Sequence, residues 1–271
     1  MNASRIIALH GFTGCGADFD ILRPYLPDDW EWLQPDLIGH GGNQTKLPSG
    51  KSLLPVCLDF LEAEHLRFIH ETRESPSAKR KPSVLIGYSM GGRIALHWAL
   101  KNPIAFSAIV IVGGSPGIAS QEKRLLRLVD DAELAEGIRK CGLRPFLSSW
   151  FNNHIFDGLK DVDPTLDTII HIKLLSRYLH NTADGLAACL CGLGPGALPS
   201  LWERLHEIKV PVLCLTGEYD RKFYAIATEM ASRLPAGIAA FVPNAFHMPH
   251  LEKPALTAKI INKFVSDYIS D

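Results

Sequence analysis

Short apolar runs alternate with stretches of helical periodicity along the first part of this chain. The apolar runs predict buried strands at Arg5–Leu9, Glu31–Gln34, Val84–Tyr88 and Ala108–Val112. Helical spacing of apolar positions lies between them, most clearly over Leu53–Ile69 and Arg93–Lys101. Short strands that alternate with helices are typical of an α/β protein with a mostly parallel sheet and helices on both faces.

A long middle section, from residue 117 to residue 206, interrupts this alternation because it contains only helix signals. The alternation then returns, with predicted strands at Val210–Thr216 and Ala239–Val242 and predicted helices at Ala225–Arg233 and Ala255–Tyr268. We therefore expect a single domain over 1–271, in which a helical cap (117–206) is inserted between the core segments 1–116 and 207–271. A helical insertion between two strands is expected to lie over the carboxyl ends of the strands.

Composition and charge are those of an ordinary globular chain and narrow the choice of partners. Apolar residues make up 46% of the 271 positions, charged residues make up 21%, and the net charge is -1. This charge gives no reason to expect nucleic acid or a membrane surface as a partner, and no apolar stretch approaches the ~18 residues of a membrane helix. The first strand follows Met1 too closely for a signal peptide, and the six cysteines are scattered. We therefore expect a cytoplasmic protein with reduced thiols.

The segment Gly87–Arg93 has the form G-x-S-x-G and stands between a predicted strand and a predicted helix. That context is typical of a nucleophile elbow, a strained strand-to-helix turn that exposes the hydroxyl of its serine, here Ser89. Side chains at Gly87 or Gly91 would collide with the neighbouring chain. The N–H of Met90 begins the next helix and is a candidate donor to a developing oxyanion.

A serine hydroxyl needs a base within reach and a group that orients that base. In the hydrolase topology, these follow the serine in the order acid and then histidine. Asp220 follows one predicted strand, with Glu218 as the alternative acid, and His247 follows the next strand, with His250 as the alternative base. We interpret His97 as helix surface.

The first strand is followed by His10-Gly11-Phe12, which also belongs to this pattern. A His-Gly step in this place typically supplies the second oxyanion donor, a backbone N–H. The N–H of Phe12 would then join that of Met90 in a hole with two donors.

The chain also contains four arginines from which the charge of the substrate can be predicted. Arg93 lies one helical turn after Ser89, Arg124 and Arg127 follow in a predicted helix, and Arg177 lies in the predicted cap. Guanidinium groups bind carboxylates through two parallel hydrogen bonds. Arginines directed at one cleft would predict a substrate with more than one carboxylate, whereas arginines on amphipathic helices would be ordinary surface charges.

Two motifs are more specific than the elbow itself, namely the Gly-Gly-Arg tail at Gly91–Arg93 and the block Gly217–Phe223. Together with Gly113–Gly117 and the arginines that follow it, they make the chain resemble the menaquinone-pathway synthases of 2-succinyl-6-hydroxy-2,4-cyclohexadiene-1-carboxylate. The matches extend from His10 to beyond His247, which is nearly the whole chain.

The resemblance implies an α/β-hydrolase fold and a lyase that eliminates pyruvate from a cyclohexene ring carrying an enolpyruvyl ether, a succinyl arm and a carboxylate. It implies that Ser89, Asp220 and His247 form the catalytic triad and that neither a metal nor an organic cofactor is needed. The candidate substrate contacts are Arg93, Arg124, Arg127, Arg177, Tyr88, Trp150 and Phe156. We expect a small polycarboxylate as the substrate, and a monomer or small homo-oligomer.

Two other kinds of function would use the same fold. A carboxylesterase or a carbon–carbon bond hydrolase would need the same triad, so only the positive walls of the pocket would distinguish the lyase. A non-enzymatic protein of this fold would have no use for an intact serine, acid and histidine. Labelling of Ser89 by a serine-reactive probe separates this last option from the enzymes.

Overall fold

The computed structural model describes residues 4–43, 45, 52–72, 81–157 and 178–269. Its strands are β1 (Arg5–Leu9), β2 (Glu31–Leu33), β3 (Ser83–Tyr88), β4 (Ala108–Val112), β5 (Val212–Gly217) and β6 (Gly237–Val242). They form one sheet in the order β2-β1-β3-β4-β5-β6, and every neighbouring pair is parallel. The predicted parallel sheet is confirmed, and the carboxyl ends of these strands meet along one edge.

Helices connect the strands and flank the sheet. In chain order, the described α-helices are α1 (Leu53–Glu71), α2 (Met90–Lys101), α3 (Gln121–Cys141), α4 (Leu143–Phe151), α5 (Ala183–Leu193), α6 (Arg221–Arg233), α7 (Pro249–Glu252) and α8 (Pro254–Tyr268). Short 3-10 helices lie at Gly16–Tyr25, His154–Phe156 and Trp202–Glu207. Within the described ranges, no helix combines the length and the apolar character that crossing a bilayer requires.

The sheet is covered on both faces because its strands are apolar on both sides. Ile6 of β1 belongs to a core cluster that also contains Phe264 of α8. Its neighbour Ile7 belongs to a second cluster, with Leu61 of α1 and Ile94 of α2. Successive side chains of a strand point to opposite faces, so a continuous apolar run such as β1 requires helices on both sides.

Some predicted boundaries are wrong, and the differences have local causes. β5 begins two residues later than predicted because Pro211 has no N–H to donate to a neighbouring strand. α6 begins four residues earlier because the carboxylate of Asp220 accepts the N–H of Phe223 and caps the helix. The surface assignment of His97 is also wrong, because α2 is buried on all sides and leaves this imidazole 7% exposed.

The described part of residues 117–206 contains helices and no strand, as predicted. Within it, α3 packs against α4 and α5. α4 brings Phe146 and Trp150 to Phe12, with ring centroids 6.3 and 5.4 Å apart. Because Phe12 follows the carboxyl end of β1, these contacts place α4 over that edge of the sheet. The division of the chain into a core and an inserted cap over 117–206 remains a prediction.

Candidate active site

Ser89 occupies a strained turn between β3 and α2. Its backbone has φ 50° and ψ -106°, a conformation that residues other than glycine rarely adopt. Its N–H donates to the carbonyl of Val112 at 2.8 Å, which ties the turn to the end of β4. A Cβ added to Gly91 would lie 2.1 Å from the backbone oxygen of Leu9, so a larger residue there would displace the turn.

The imidazole of His247 bridges Ser89 and Asp220. Its Nε2 lies 3.2 Å from the Ser89 hydroxyl oxygen, and its Nδ1 lies 2.6 Å from a carboxylate oxygen of Asp220. An ionised carboxylate can only accept, so Nδ1 carries the proton and the Nε2 lone pair faces the serine hydroxyl. Asp220 is held in turn because its other oxygen accepts the N–H of Phe223 at 3.2 Å.

The two alternative residues lie elsewhere. Glu218 is exposed, and its carboxylate accepts the N–H of Asn244 at 3.1 Å. His250 is fully buried, with its ring stacked on Phe19 and tilted against Tyr88. Burial lowers the pKa of His250 to about 3, and neither ring nitrogen finds a hydrogen-bond partner among the described residues. The geometry therefore brings Asp220 and His247 to Ser89, rather than the alternatives.

A small cavity of about 40 Å³ opens at Ser89 and His247. Its walls include Phe12, Tyr88, Trp150 and Phe156, four aromatic residues that the sequence predicted at the site. The structure thus brings together the predicted aromatic contacts from the β1 loop, the end of β3 and the α4 region.

Of the two predicted oxyanion donors, Phe12 lines the same cavity, and Met90 directly follows Ser89 in the chain. Met90 is the first residue of α2, and the loop from Gly11 to Gly14 lies beside the elbow. A Cβ added to Gly11 would lie 2.6 Å from the Tyr88 ring and 3.6 Å from Cβ of Ser89, so the two loops approach closely. Donation by the N–H groups of Phe12 and Met90 to an oxyanion remains a prediction. The structure places both residues close to Ser89.

Two buried histidines hold the loop that follows β1 (residues 10–15), a role that the sequence pattern did not predict for either of them. Nε2 of His10 accepts the N–H of Leu37 at 2.9 Å, and Nε2 of His40 accepts the N–H of Thr13 at 3.2 Å. Burial lowers the pKa of His10 to about 4 and lowers that of His40 well below its usual value. Both rings are therefore neutral acceptors. Each belongs to a His-Gly dipeptide shortly after a strand, a repeated pattern that could have indicated them.

Arg93 is buried but does not line the described part of the cavity. Its Nη1 donates to the carbonyl of Leu193 at 3.2 Å, and its Nε has no hydrogen-bond partner among the described residues. Burial, and then the charge of Arg127, lower the pKa of Arg93 to about 10, so it is still a cation at neutral pH. The expectation that it points into the cavity beside Ser89 is not met in this structure.

Arg124 and Arg127 are also not among the described residues that line that cavity. Nε of Arg127 donates to Asp131 at 2.6 Å, and Asp131 also accepts the N–H of Gly196. Arg124 is partly exposed on α3, and Arg177 lies outside the described residues. No group of three or more metal-binding side chains occurs in the described part of the chain.

Known proteins share both the sequence and the fold. A family model described as "Alpha/beta hydrolase family" matches residues 6–260. The chain belongs to the alpha/beta hydrolase family. This membership agrees with the predicted fold and with a nucleophile elbow at the end of the third strand.

Relatives of this alpha/beta hydrolase also confirm the predicted resemblance. A protein of Bacillus subtilis (strain 168) named "Putative 2-succinyl-6-hydroxy-2,4-cyclohexadiene-1-carboxylate synthase" is 36% identical over 268 residues, covering 98% of this chain and 92% of that protein. The 2-succinyl-6-hydroxy-2,4-cyclohexadiene-1-carboxylate synthase of Enterobacter sp. (strain 638) is 29% identical, with coverages of 98% and 93%. The solved structure of MenH from S. aureus has a TM-score of 0.89 at 26% identity and covers 100% of this chain and 96% of its own.

Proposed function

We propose that this protein eliminates pyruvate from 2-succinyl-5-enolpyruvyl-6-hydroxy-3-cyclohexene-1-carboxylate and so makes 2-succinyl-6-hydroxy-2,4-cyclohexadiene-1-carboxylate in menaquinone or phylloquinone biosynthesis. The observation that carries the proposal is the hydrogen-bonded series Ser89, His247 and Asp220, in a chain 36% identical to a relative named for this reaction. Free thiols occur at Cys57, Cys141, Cys189, Cys191 and Cys214, which supports a cytoplasmic enzyme because thiols stay reduced in the cytoplasm.

In the reaction, Ser89 acts as a base that His247 activates. Nε2 of His247 takes the hydroxyl proton, and the serine oxygen removes the ring proton that the succinyl ketone makes acidic. Negative charge moves onto the ketone oxygen, where the N–H groups of Phe12 and Met90 donate to it. The C–O bond to the enolpyruvyl group then breaks and a second ring C=C bond forms. The departing enolpyruvate takes the proton held by His247, so no acyl intermediate on Ser89 is required.

The substrate needs more room than the cavity offers. Pockets for ligands of drug-like size enclose roughly 300–1,000 Å³, whereas the cavity at Ser89 encloses about 40 Å³. Binding therefore requires the cavity to widen. Among the described residues the buried Nε–H of Arg93 has no hydrogen-bond partner, which supports a carboxylate ligand because an anion strongly stabilises a buried guanidinium with an unused donor.

The direct test is to mix the protein with the enolpyruvyl substrate and measure the pyruvate released. We expect about one pyruvate per substrate, and we expect Ser89→Ala to lower kcat by roughly three orders of magnitude or more. Hydrolysis of neutral esters without release of pyruvate would overturn the proposal and favour an esterase. Failure of a serine-reactive probe to label Ser89, together with no turnover of either substrate, would favour a non-enzymatic protein.

Replacement of Arg93 separates the lyase from a hydrolase. Arg93→Met keeps much of the side-chain volume and removes the charge, so kcat/KM for the tricarboxylate should fall about a hundredfold. Hydrolysis of a small neutral ester should change little. Arg204 is an exposed arginine paired with Glu207, and Arg204→Met is the matched control that should leave both rates unchanged. Equal losses on both substrates in Arg93→Met would contradict a carboxylate-binding role.

A further inference from the structure

Glu252 is a buried carboxylate that the proposed reaction does not use directly. It is 4% exposed and ends the short helix α7. One of its oxygens accepts the N–H of Phe246 at 2.6 Å, and the other accepts the N–H of Met248 at 2.8 Å. These two residues flank His247, so one side chain holds the peptide groups on both sides of the imidazole.

The loop that carries His247 is also held by the N–H of Asn244, which donates to Glu218 at 3.1 Å, and by the carbonyl of Ala245, which accepts the N–H of Tyr219 at 2.9 Å. It joins β6 to α7 and contains Asn244 in the left-handed region, at φ 52°. Hydrogen bonds to an ionised acceptor are about twice as strong as neutral ones. Burial raises the pKa of Glu252, while the two N–H donors and the neighbouring His247 oppose this rise. Two such bonds to a single carboxylate restrict both rotation and displacement of the peptide at residue 247.

We propose that Glu252 is a positioning residue, whose carboxylate fixes residues 246–248 so that the imidazole of His247 reaches Ser89 and Asp220 at the same time. The inference rests on the proposed role of His247 as the base. Glu252 is not among the described residues that line the cavity, so its loss should affect the chemical step rather than substrate binding. Displacement of a reacting group by about 1 Å can cost about a hundredfold in rate.

The test uses the full chain with Glu252→Gln, which keeps the shape of the side chain but replaces one acceptor oxygen with an N–H donor. We expect kcat for pyruvate release to fall at least tenfold, while KM changes less than twofold. We also expect slower labelling of Ser89 by a fluorophosphonate and a shifted proton resonance for the Nδ1–H of His247. Glu252→Asp keeps the charge but can reach only one of the two N–H groups, so it should show an intermediate loss.

Two matched controls separate positioning from loss of stability. Thr257→Val removes a buried hydrogen bond of 2.8 Å to the carbonyl of Pro249, next to the same loop, without touching the peptides beside His247. Glu218→Gln removes a carboxylate that binds the N–H of Asn244 in that loop. Both should keep the kcat and the His247 resonance of the parent, even if Thr257→Val lowers Tm as much as Glu252→Gln does.

Two results would overturn the inference. One is that Glu252→Gln retains the parent's kcat and labelling rate, and the other is that Thr257→Val loses as much activity at the same Tm. The labelling and resonance measurements need no substrate. They therefore test Glu252 even if the parent releases no pyruvate, which would be a failure of the proposed function alone.

Discussion

At the scale of single residues, each of the two carboxylate oxygens of Asp220 accepts a different hydrogen bond. One accepts the Nδ1–H of His247 at 2.6 Å, and the other caps α6 through the N–H of Phe223 at 3.2 Å. The helix cap fixes the direction of the carboxylate, so the imidazole is held in the tautomer that leaves Nε2 free to accept a proton.

Asp220→Asn should therefore lower kcat much more than it lowers stability. An amide presents a donor as well as an acceptor and favours the wrong tautomer of His247, so we expect a loss of roughly 10³–10⁴ in kcat. The measurement is the rate of pyruvate release, together with Tm. Glu218→Gln, in the same loop, should behave like the parent. A loss of less than tenfold in Asp220→Asn would mean that Asp220 does not orient the base.

The residue types and order of the candidate site follow from the sequence because each stands where a predicted strand ends. The sequence also favours His247 over His250 because His247 stands nearer the end of the strand, but the final choice rests on the tertiary structure. That choice depends on which ring faces Asp220 and which one is enclosed by Phe19 and Tyr88. The positioning role of Glu252 also depends on the tertiary structure, because the chain turns back after residue 248 and brings the carboxylate to the N–H groups of Phe246 and Met248.

At the scale of elements, two glycines in helices differ in how closely the neighbouring chain approaches them. Gly91 lies in the first turn of α2, where an added Cβ would be 2.1 Å from the backbone oxygen of Leu9. Gly137 lies within α3, where an added Cβ would meet nothing within 4 Å. The first glycine is needed because helix and strand approach closely at the elbow, whereas the second only costs the helix conformational entropy.

The same substitution should therefore have opposite effects at these two positions. Gly137→Ala should raise the free energy of unfolding by about 0.5–1 kcal/mol and leave the rate unchanged. Gly91→Ala must displace the chain around Ser89, so it should lower stability and reduce kcat by about a hundredfold or more. Urea unfolding measures the free energy of unfolding of each variant, and pyruvate release measures its kcat. Parent-like activity in Gly91→Ala would show that the turn tolerates a side chain.

At the scale of the whole molecule, several histidines are buried without becoming charged. Burial lowers the pKa of His10 and His97 to about 4 and that of His250 to about 3, and it lowers the pKa of His40 well below 6.5. In the unfolded chain these groups titrate near 6.5. Between the folded and unfolded values, the unfolded chain binds more protons, so stability rises with pH and is lost as the pH falls below about 6.5.

The free energy of unfolding should thus decrease between pH 7 and pH 5, by about 1–2 kcal/mol for each such histidine. His97→Gln removes one of these groups, and it should reduce the difference between the two pH values by that amount. Urea midpoints at pH 5 and pH 7 give the comparison. His206 is exposed, and His206→Gln is the control that should leave the difference unchanged. An unchanged difference in His97→Gln would contradict the burial argument.

The sequence by itself determined the α/β class, the positions of the strands and the chain order of Ser89, Asp220 and His247. It could do so because apolar runs reflect burial directly and parallel strands bring their carboxyl ends to one edge. Only the tertiary structure decided that Arg93 turns towards Leu193, that Glu252 holds the loop of His247, and that the cavity at Ser89 encloses only about 40 Å³. These features depend on contacts between segments far apart in the chain or on the path of a loop, and local periodicity carries no information about either.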